Sequence, residues 1–327
     1  MRFSFRVGQS SWRVVLACVS LLMLTSCSER SSEPLRIASS PWPGYEPIYL
    51  AREIGYLPPS KATIYELPSS DITLESFRNR SADLATLTLD ETLDLMHSGV
   101  KLRVLMVLDG SNGADAVMVS PKIKKLSDLK GKRIAIENIP LGVYMLSRLL
   151  NAAKLTREDV HIIPMSENKH EEMYRQGKAD AFITFDPMKT KLAQLGAHSI
   201  FDSSDIPNEI FDLMLVHEDV YLKRHKEVCD VAKQWFRTLA YMKQSSDEAA
   251  VSISKRLEVS PQEYKEMLKG IKTLDLQDNL ALITGDQPQI LKAAHLLNDV
   301  MLKEGQLTHP VDLSLGLDPT LKTCLGD

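Results

Sequence analysis

Carboxylates and aromatic rings recur in this sequence where short apolar runs end, and that placement defines the chemistry open to it. Asp90, Asp109, Glu137 and Asp186 each stand where such a run gives way to a turn or a helix start. An Asp in the first turn of a helix is favoured by capping and by the helix dipole, whatever else it does. Asp90 and Asp186 can therefore be plain caps, or they can face each other across a cleft and hold ammonium or ring N–H groups. Trp42 and Tyr45 lie in Ser40-Pro41-Trp42-Pro43-Gly44-Tyr45, a stiff turn that either closes the core over the preceding strand or presents ring faces to a ligand. Such faces suit a planar or a positively charged molecule. Thr88, Asn112 and Tyr144 add polar groups in the loops 88–91, 109–115 and 137–144. Turn formation alone also accounts for the Gly and Asn of Asp109-Gly110-Ser111-Asn112-Gly113.

No Ser/His/Asp set stands in a recognisable context, and no Cys/His group has metal-ligand spacing. His161 and His170 read as isolated surface positions, so neither a cofactor nor a metal is expected.

The elements that must position these side chains alternate regularly. Strands are expected at 35–39, 62–67, 84–88 and 102–108, with helices at 46–54, 71–80 and 91–98 between them. The pattern restarts with strands at 133–137, 160–164, 181–185 and 198–201 and helices at 141–153, 167–176 and 187–195. Helices follow at 221–244, 246–256, 261–269 and 288–303. Near-continuous apolar strands predict a mainly parallel sheet covered by helices on both faces. The apolar strands 115–119 and 212–216 bracket the second block, as in a domain inserted through a two-stranded hinge. Both blocks carry Ala-Asp, a strand, then Thr-x-Asp at a helix start: Ala82-Asp83 with Thr88-Leu89-Asp90, and Ala179-Asp180 with Thr184-Phe185-Asp186.

The chain has 327 residues, 44% hydrophobic and 25% charged, with a net charge of −4. Its 15 Gly and 16 Pro are too few for a collagen-like or low-complexity chain. The acidic balance, without a basic block, argues against nucleic acid as partner. Residues 1–26 carry Arg2, Arg6 and Arg13, no acidic residue and an apolar run over 14–24, which is the layout of an export signal. Leu24-Thr25-Ser26-Cys27 resembles a bacterial lipobox, implying cleavage before Cys27, lipidation of that residue and a membrane anchor. The remaining 301 residues would carry a net charge of −7 and begin with a polar tether, 27–34. Of the other cysteines, Cys18 leaves with the signal. Cys229 and Cys324 can pair in an oxidising compartment, while the apolar neighbours of Cys229 favour an inert buried thiol.

These features together resemble the solute-binding lipoproteins of ABC importers, specifically the nitrate/sulfonate/taurine-type binding proteins and their relatives that carry the thiamine pyrimidine precursor. The resemblance rests on 40–46 (Ser-Pro-Trp-Pro-Gly-Tyr-Glu) followed by Tyr49-Leu50-Ala51 and Gly55-Tyr56. It extends through 127–135 (Ser-Asp-Leu-Lys-Gly-Lys-Arg-Ile-Ala), then Ala179-Asp180-Ala181 and Phe185-Asp186-Pro187. It spans roughly 35–310 and implies a type II periplasmic-binding fold of two α/β lobes, with 35–117 and 217–327 forming lobe one and 118–216 lobe two. It further implies a monomer that is no enzyme and that delivers a small molecule to ABC permease subunits; the alternative output is signalling to a membrane sensor kinase or cyclase. One loop departs from the family's anion-binding pattern. Ile139-Pro140-Leu141-Gly142-Val143 has no hydroxyl, and Pro140 removes a backbone donor where an anion would need one. With acidic residues in the other loops and no arginine within them, a neutral or cationic nitrogenous solute fits better than a sulfonate or nitrate.

Overall fold

The computed structural model describes residues 33–317, together with Met1 and Cys324. The expected export signal, Cys27 and the tether up to residue 32 lie outside the described residues. No helix among the described residues is long and apolar enough to cross a membrane.

The strands are β1 (Leu35–Ser39), β2 (Ala62–Glu66), β3 (Leu84–Thr88), β4 (Leu102–Ser111), β5 (Ala116–Val119), β6 (Arg133–Ile136), β7 (His161–Pro164), β8 (Ala181–Thr184), β9 (His198–Asp202), β10 (Phe211–His217) and β11 (Ile271–Thr273). They form two sheets, ordered β2-β1-β3-β10-β4-β11 and β7-β6-β8-β5-β9. Each sheet with its helices is one lobe. In both, three parallel strands are followed by a fourth running antiparallel, and that fourth strand is the one the chain forms just after crossing from the other lobe. The sheets are therefore mixed rather than mainly parallel: β10 pairs antiparallel with both β3 and β4, and β5 with both β8 and β9. The apolar runs reflect burial on two faces, which β10, buried along its whole length, shows without any parallel neighbour.

The change of sheet falls within 112–115 and 203–210, earlier than the expected boundaries at 117 and 216, because 211–217 is a central strand of the first sheet. The two crossings are tied together. Ser111 and Ser203 hydroxyls lie 2.8 Å apart, and the Gly113 N–H donates to the Ser203 hydroxyl at 2.6 Å. The Ser203 N–H donates to the Asp115 carbonyl at 2.9 Å.

The Ala-Asp motif has a physical reason common to both lobes. Asp83 accepts from the backbone N–H of Arg36 at 2.9 Å and pairs with its guanidinium at 2.7 Å. Asp180 does the same with Arg133, 47 residues away as in the first pair, at 3.0 Å from both groups. Each pair fixes the entry of the third strand beside the first, at the edge of the lobe opposite the strands' C-terminal ends.

Behind the first cleft loop, helix Glu46–Glu53 buries Glu46 completely, and Arg256 of helix Ser246–Leu257 forms an ion pair with it while lying 3.5 Å over the Tyr49 ring. The expected single helix 221–244 is broken at Arg224 into Glu218–Lys223 and His225–Gln244. Strand β11 and helix Leu276–Ile283 carry no strong periodicity and were not expected; Asp275 caps that helix by accepting from the Asp278 N–H at 3.0 Å.

Cys229 and Cys324 form a disulfide across 95 residues, so the inert-thiol alternative does not hold. His225, one turn before Cys229, completes a cluster of three potential metal ligands, but both sulfurs are used in the bond. His170 is buried rather than at the surface, whereas His161 is exposed. A disulfide closing a loop of this length restricts the unfolded chain, so Cys324→Ser is expected to lower stability by about 2–4 kcal/mol. Thermal unfolding of the oxidised protein and the variant measures this; coincident melting curves would refute it.

Candidate functional site

The C-terminal ends of β1, β3, β6 and β8 and the two crossings converge where the lobes face each other, the usual ligand position in open α/β sheets. Two small adjoining cavities lie there. One is walled by Trp42, Tyr45, Thr88 and Asp212 of lobe one and by Leu141 and Phe185 of lobe two. The second runs into lobe two, past Glu137, Ile139, Gly142 and Thr184. Asp115, Leu141 and Phe185 wall both, which makes the space continuous. Neither cavity is lined by lysine, arginine, histidine or cysteine.

Close approach of backbone shapes both ends. A Cβ on Gly44 would stand 2.0 Å from Asp109 Oδ2, and one on Gly142 would stand 2.1 Å from the Glu137 carbonyl oxygen. Glycine at these positions lets the Trp42 turn sit on Asp109 and lets helix Pro140–Ala153 start against Glu137.

Eight carboxylates are buried around this space: Asp90, Glu91, Asp109, Asp115, Glu137, Glu167, Asp186 and Asp212, the most exposed being Glu167 at 6%. Burial is the main cause of shifts that all run upward. It pushes Asp90 and Asp109 up to about 7 and Asp115 to about 6. Glu137 and Glu167 rise to about 8, the first with added repulsion from Asp71 and the second from Glu137. Glu91 and Asp212 are held well above the usual range, and Asp186 is raised as well. Lysines offset part of this: Lys189 acts on Asp115 and Asp186, and Lys191 acts on Glu167.

Individual partners divide the set. The Tyr45 hydroxyl donates to Asp212, and Trp42 Nε1 donates to Asp109 at 3.2 Å. Asp186 accepts from the Thr190 N–H at 3.1 Å and its hydroxyl at 2.6 Å, so it caps helix Met188–Gln194. Glu91 accepts from the Thr88 N–H at 2.8 Å at the start of helix Leu89–His97. Asp90 Oδ2, both carboxyl oxygens of Glu137 and the Thr184 hydroxyl accept or donate no hydrogen bond of ordinary geometry. Glu137 lies near enough to Asp71 of the opposite lobe to feel its charge.

The lobes touch across the cleft. Trp42 meets Phe185 edge-on with ring centroids 5.9 Å apart, and Ser166 donates to Asp71 at 3.0 Å. Ser147 donates to Glu304 at 2.8 Å at the rim.

Of the residues singled out from sequence, Trp42, Tyr45, Thr88 and Glu137 line the cavities. Asp109 and Asp90 stand just behind the walls. Tyr144 is turned away, its hydroxyl donating to Glu209 at 2.5 Å. Asn112 is exposed in the first crossing, where its N–H donates to the Gly270 carbonyl at 2.8 Å. Asp115 and Asp212 were read only as the first residues of hinge strands. Their signal was present: an Asp opens each of the two apolar strands, where a buried carboxylate needs a reason. Phe185 and Leu141 had no signal beyond their loops.

A family model described as NMT1/THI5 like matches residues 42–249. No curated protein matches the chain by sequence. Among solved structures, the alkanesulfonate-binding protein SsuA from Xanthomonas axonopodis pv. citri, bound to MOPS, is 19% identical with a TM-score of 0.71; the match covers 85% of this chain and 96% of that one. The ligand-binding component of an ABC-type import system from Staphylococcus aureus, with zinc bound, is 11% identical with a TM-score of 0.73, covering 89% and 98%. The desulfurization enzyme DSZB is 18% identical with a TM-score of 0.64, covering 89% and 99%. The likeness is one of fold, the two-lobed α/β fold of periplasmic binding proteins, which also serves an enzyme.

The upward shifts make stability depend on pH. Glu137 and Glu167 keep a proton to about 8 when folded against an ordinary 4.5, so the folded state binds more protons between these values. Stability is full below about pH 4.5 and declines as pH rises through about 8. His170, pushed down by burial to about 4, acts oppositely below 6.5. The melting temperature is therefore expected to fall from about pH 6 to about pH 8.5, and less steeply in Glu137→Gln. A melting temperature that rises over this interval would contradict the assignment.

Proposed function

The chain belongs to the NMT1/THI5-like family, and from that premise we propose that it is the solute-binding component of an ABC importer. In this reading it is exported, anchored to a bacterial membrane through a lipidated Cys27, and closes its lobes as a monomer around a small nitrogenous solute, neutral or cationic. Hinge closure stabilised by contacts from both lobes is how such a ligand would shift the population.

The observation that carries the ligand class is the sign of the charge in the cleft. Asp212 of lobe one, Glu137 of lobe two and Asp115 at the end of the first crossing wall the space, and no cationic side chain lines it. An oxyanion there would be repelled by Asp115, Glu137 and Asp212 wherever they are ionised, and no free N–H row awaits it, since Pro140 opens the nearest helix. An ammonium or ring N–H meets acceptors instead, and Trp42, Tyr45 and Phe185 supply aromatic surface around it. A binder rather than a catalyst is favoured because no histidine or cysteine stands in either cavity to activate a nucleophile.

Calorimetry against amines, aminopyrimidines, nitrate and alkanesulfonates tests this reading, with affinity expected for the nitrogenous compounds alone. Tight sulfonate binding without any amine affinity would overturn it. Asp115→Asn is expected to weaken binding about tenfold or more, the worth of a charge-assisted hydrogen bond. Asp186→Asn, which alters a cap, is expected to change affinity by about twofold or less while lowering the melting temperature. Equal effects of the two substitutions would remove the distinction drawn between wall and cap.

A further inference from the structure

The two cavities differ in what they offer a positive charge. At the lobe-one end, Asp212 accepts from Tyr45 and adjoins Asp109, whose oxygens take the Trp42 N–H. At the lobe-two end, Glu137 is 3% exposed and neither of its oxygens takes a hydrogen bond of ordinary geometry, with the Asp71 carboxyl and the backbone N–H groups of Asp71 and Glu167 nearby. The Thr184 hydroxyl, 2% exposed on the same wall, is also without a partner. A buried polar group without a partner costs free energy, and two on one cavity wall point to a ligand group that satisfies them. Between the ends, the shared wall is apolar apart from Asp115: Leu141 and Phe185 flank it. Lys189, which lowers Asp115 through its charge, is held at the crossing, its Nζ donating to the Gly113 carbonyl at 2.6 Å.

We propose that the cleft is a two-ended site for a small organic dication, with one charged nitrogen at Asp212 and Asp115 beneath Trp42 and Tyr45, and the second at Glu137 and Thr184. The inference deepens the proposed function and rests on it. A single charge would leave one end unpaired; an apolar spacer between two nitrogens matches the Leu141 and Phe185 wall. Ring-borne and open-chain dications share this chemistry, and the probes below separate them.

The charged groups around the two ends make binding release protons. Glu137 faces Asp71 of helix Ser70–Arg78, Glu167 beyond β7 and Glu91 of helix Leu89–His97. Asp212 faces Tyr45, Asp109 and Asp115. Burial and the Asp71 charge hold the Glu137 proton to about 8, and burial with the Asp109 charge raises Asp212 as well, so near neutrality an incoming ammonium displaces the Glu137 proton.

The test is calorimetry of the purified protein with α,ω-diamines of three to six carbons, with 1-aminobutane, and with a pyrimidine carrying two aminomethyl groups. At least one diamine or the diamino heterocycle is expected to bind about tenfold or more tightly than 1-aminobutane. Glu137→Gln, and independently the milder Thr184→Val, are expected to erase that advantage by lowering the diamine affinity about tenfold. Titration at pH 7 in buffers of different ionisation enthalpy is expected to show net proton release for the dication. Monoamine and diamine affinities that match, or a preference that survives both variants, would overturn the two-ended site and leave the proposed function standing. Failure of every nitrogenous probe, with variants that melt as the parent does, would overturn both.

Discussion

Eight carboxylates share the space between two sheets, and the rest of the molecule is arranged around the cost of burying them. Water solvates a carboxylate far better than a protein interior does, so each such group must be protonated, paired or hydrogen-bonded. The fold uses all three. Asp186 is bonded by the helix it caps, Glu91 by the backbone N–H of Thr88, and Asp109 by Trp42. Burial, with added repulsion from like-charged neighbours, holds the protons of Glu137 and Glu167 to about 8 and raises Asp90, Asp115 and Asp212 too. In the proposed function, a cleft built this way exchanges protons for a cation.

The carboxylates meet because the chain crosses between lobes twice. Asp115 stands at the end of the first crossing, and Asp212 stands beside Asp109 where β10 enters the sheet after the second. Ser111 and Ser203 tie those crossings into one unit, so the two walls they support are mechanically linked. Outside this region the lobes are independently braced by equivalent Arg–Asp clamps, Arg36 with Asp83 and Arg133 with Asp180. Those clamps sit at the strands' opposite ends and hold each sheet's register while the cleft faces carry the chemistry.

Much of this was legible from residues alone. The alternation of apolar runs with Gly-stopped helices located nearly every strand of both sheets, since burial on two faces leaves an unbroken apolar signature. The Pro-rich turn around Trp42 pointed to a cleft wall, where Trp42 stands. Strand direction was less visible: β10 reads as any buried strand, and only its partners make it antiparallel. Strand β11 is too short for periodicity, and the pairing of Cys229 with Cys324 depends on where the C-terminal segment lies.

The sequence by itself determined the elements, the two related blocks, and the excess of acidic over basic groups in the loops that end their strands. It also supplied every carboxylate of the cleft, because residue type and local period are properties of the chain alone. Tertiary structure decided which of them face a common space. Asp90 and Asp186 look alike as helix-start acids, yet Asp186 is satisfied by its own helix while an oxygen of Asp90 has no partner. Asp115 and Asp212 look like strand ends, yet the crossings place both on the cavity wall. Tyr144, one turn into a helix that borders the cleft, turns to Glu209 instead. The reason is geometric: a contact such as that of Tyr45 with Asp212, 167 positions apart, is fixed by how strands pair and where the chain crosses, and no local pattern encodes that distance.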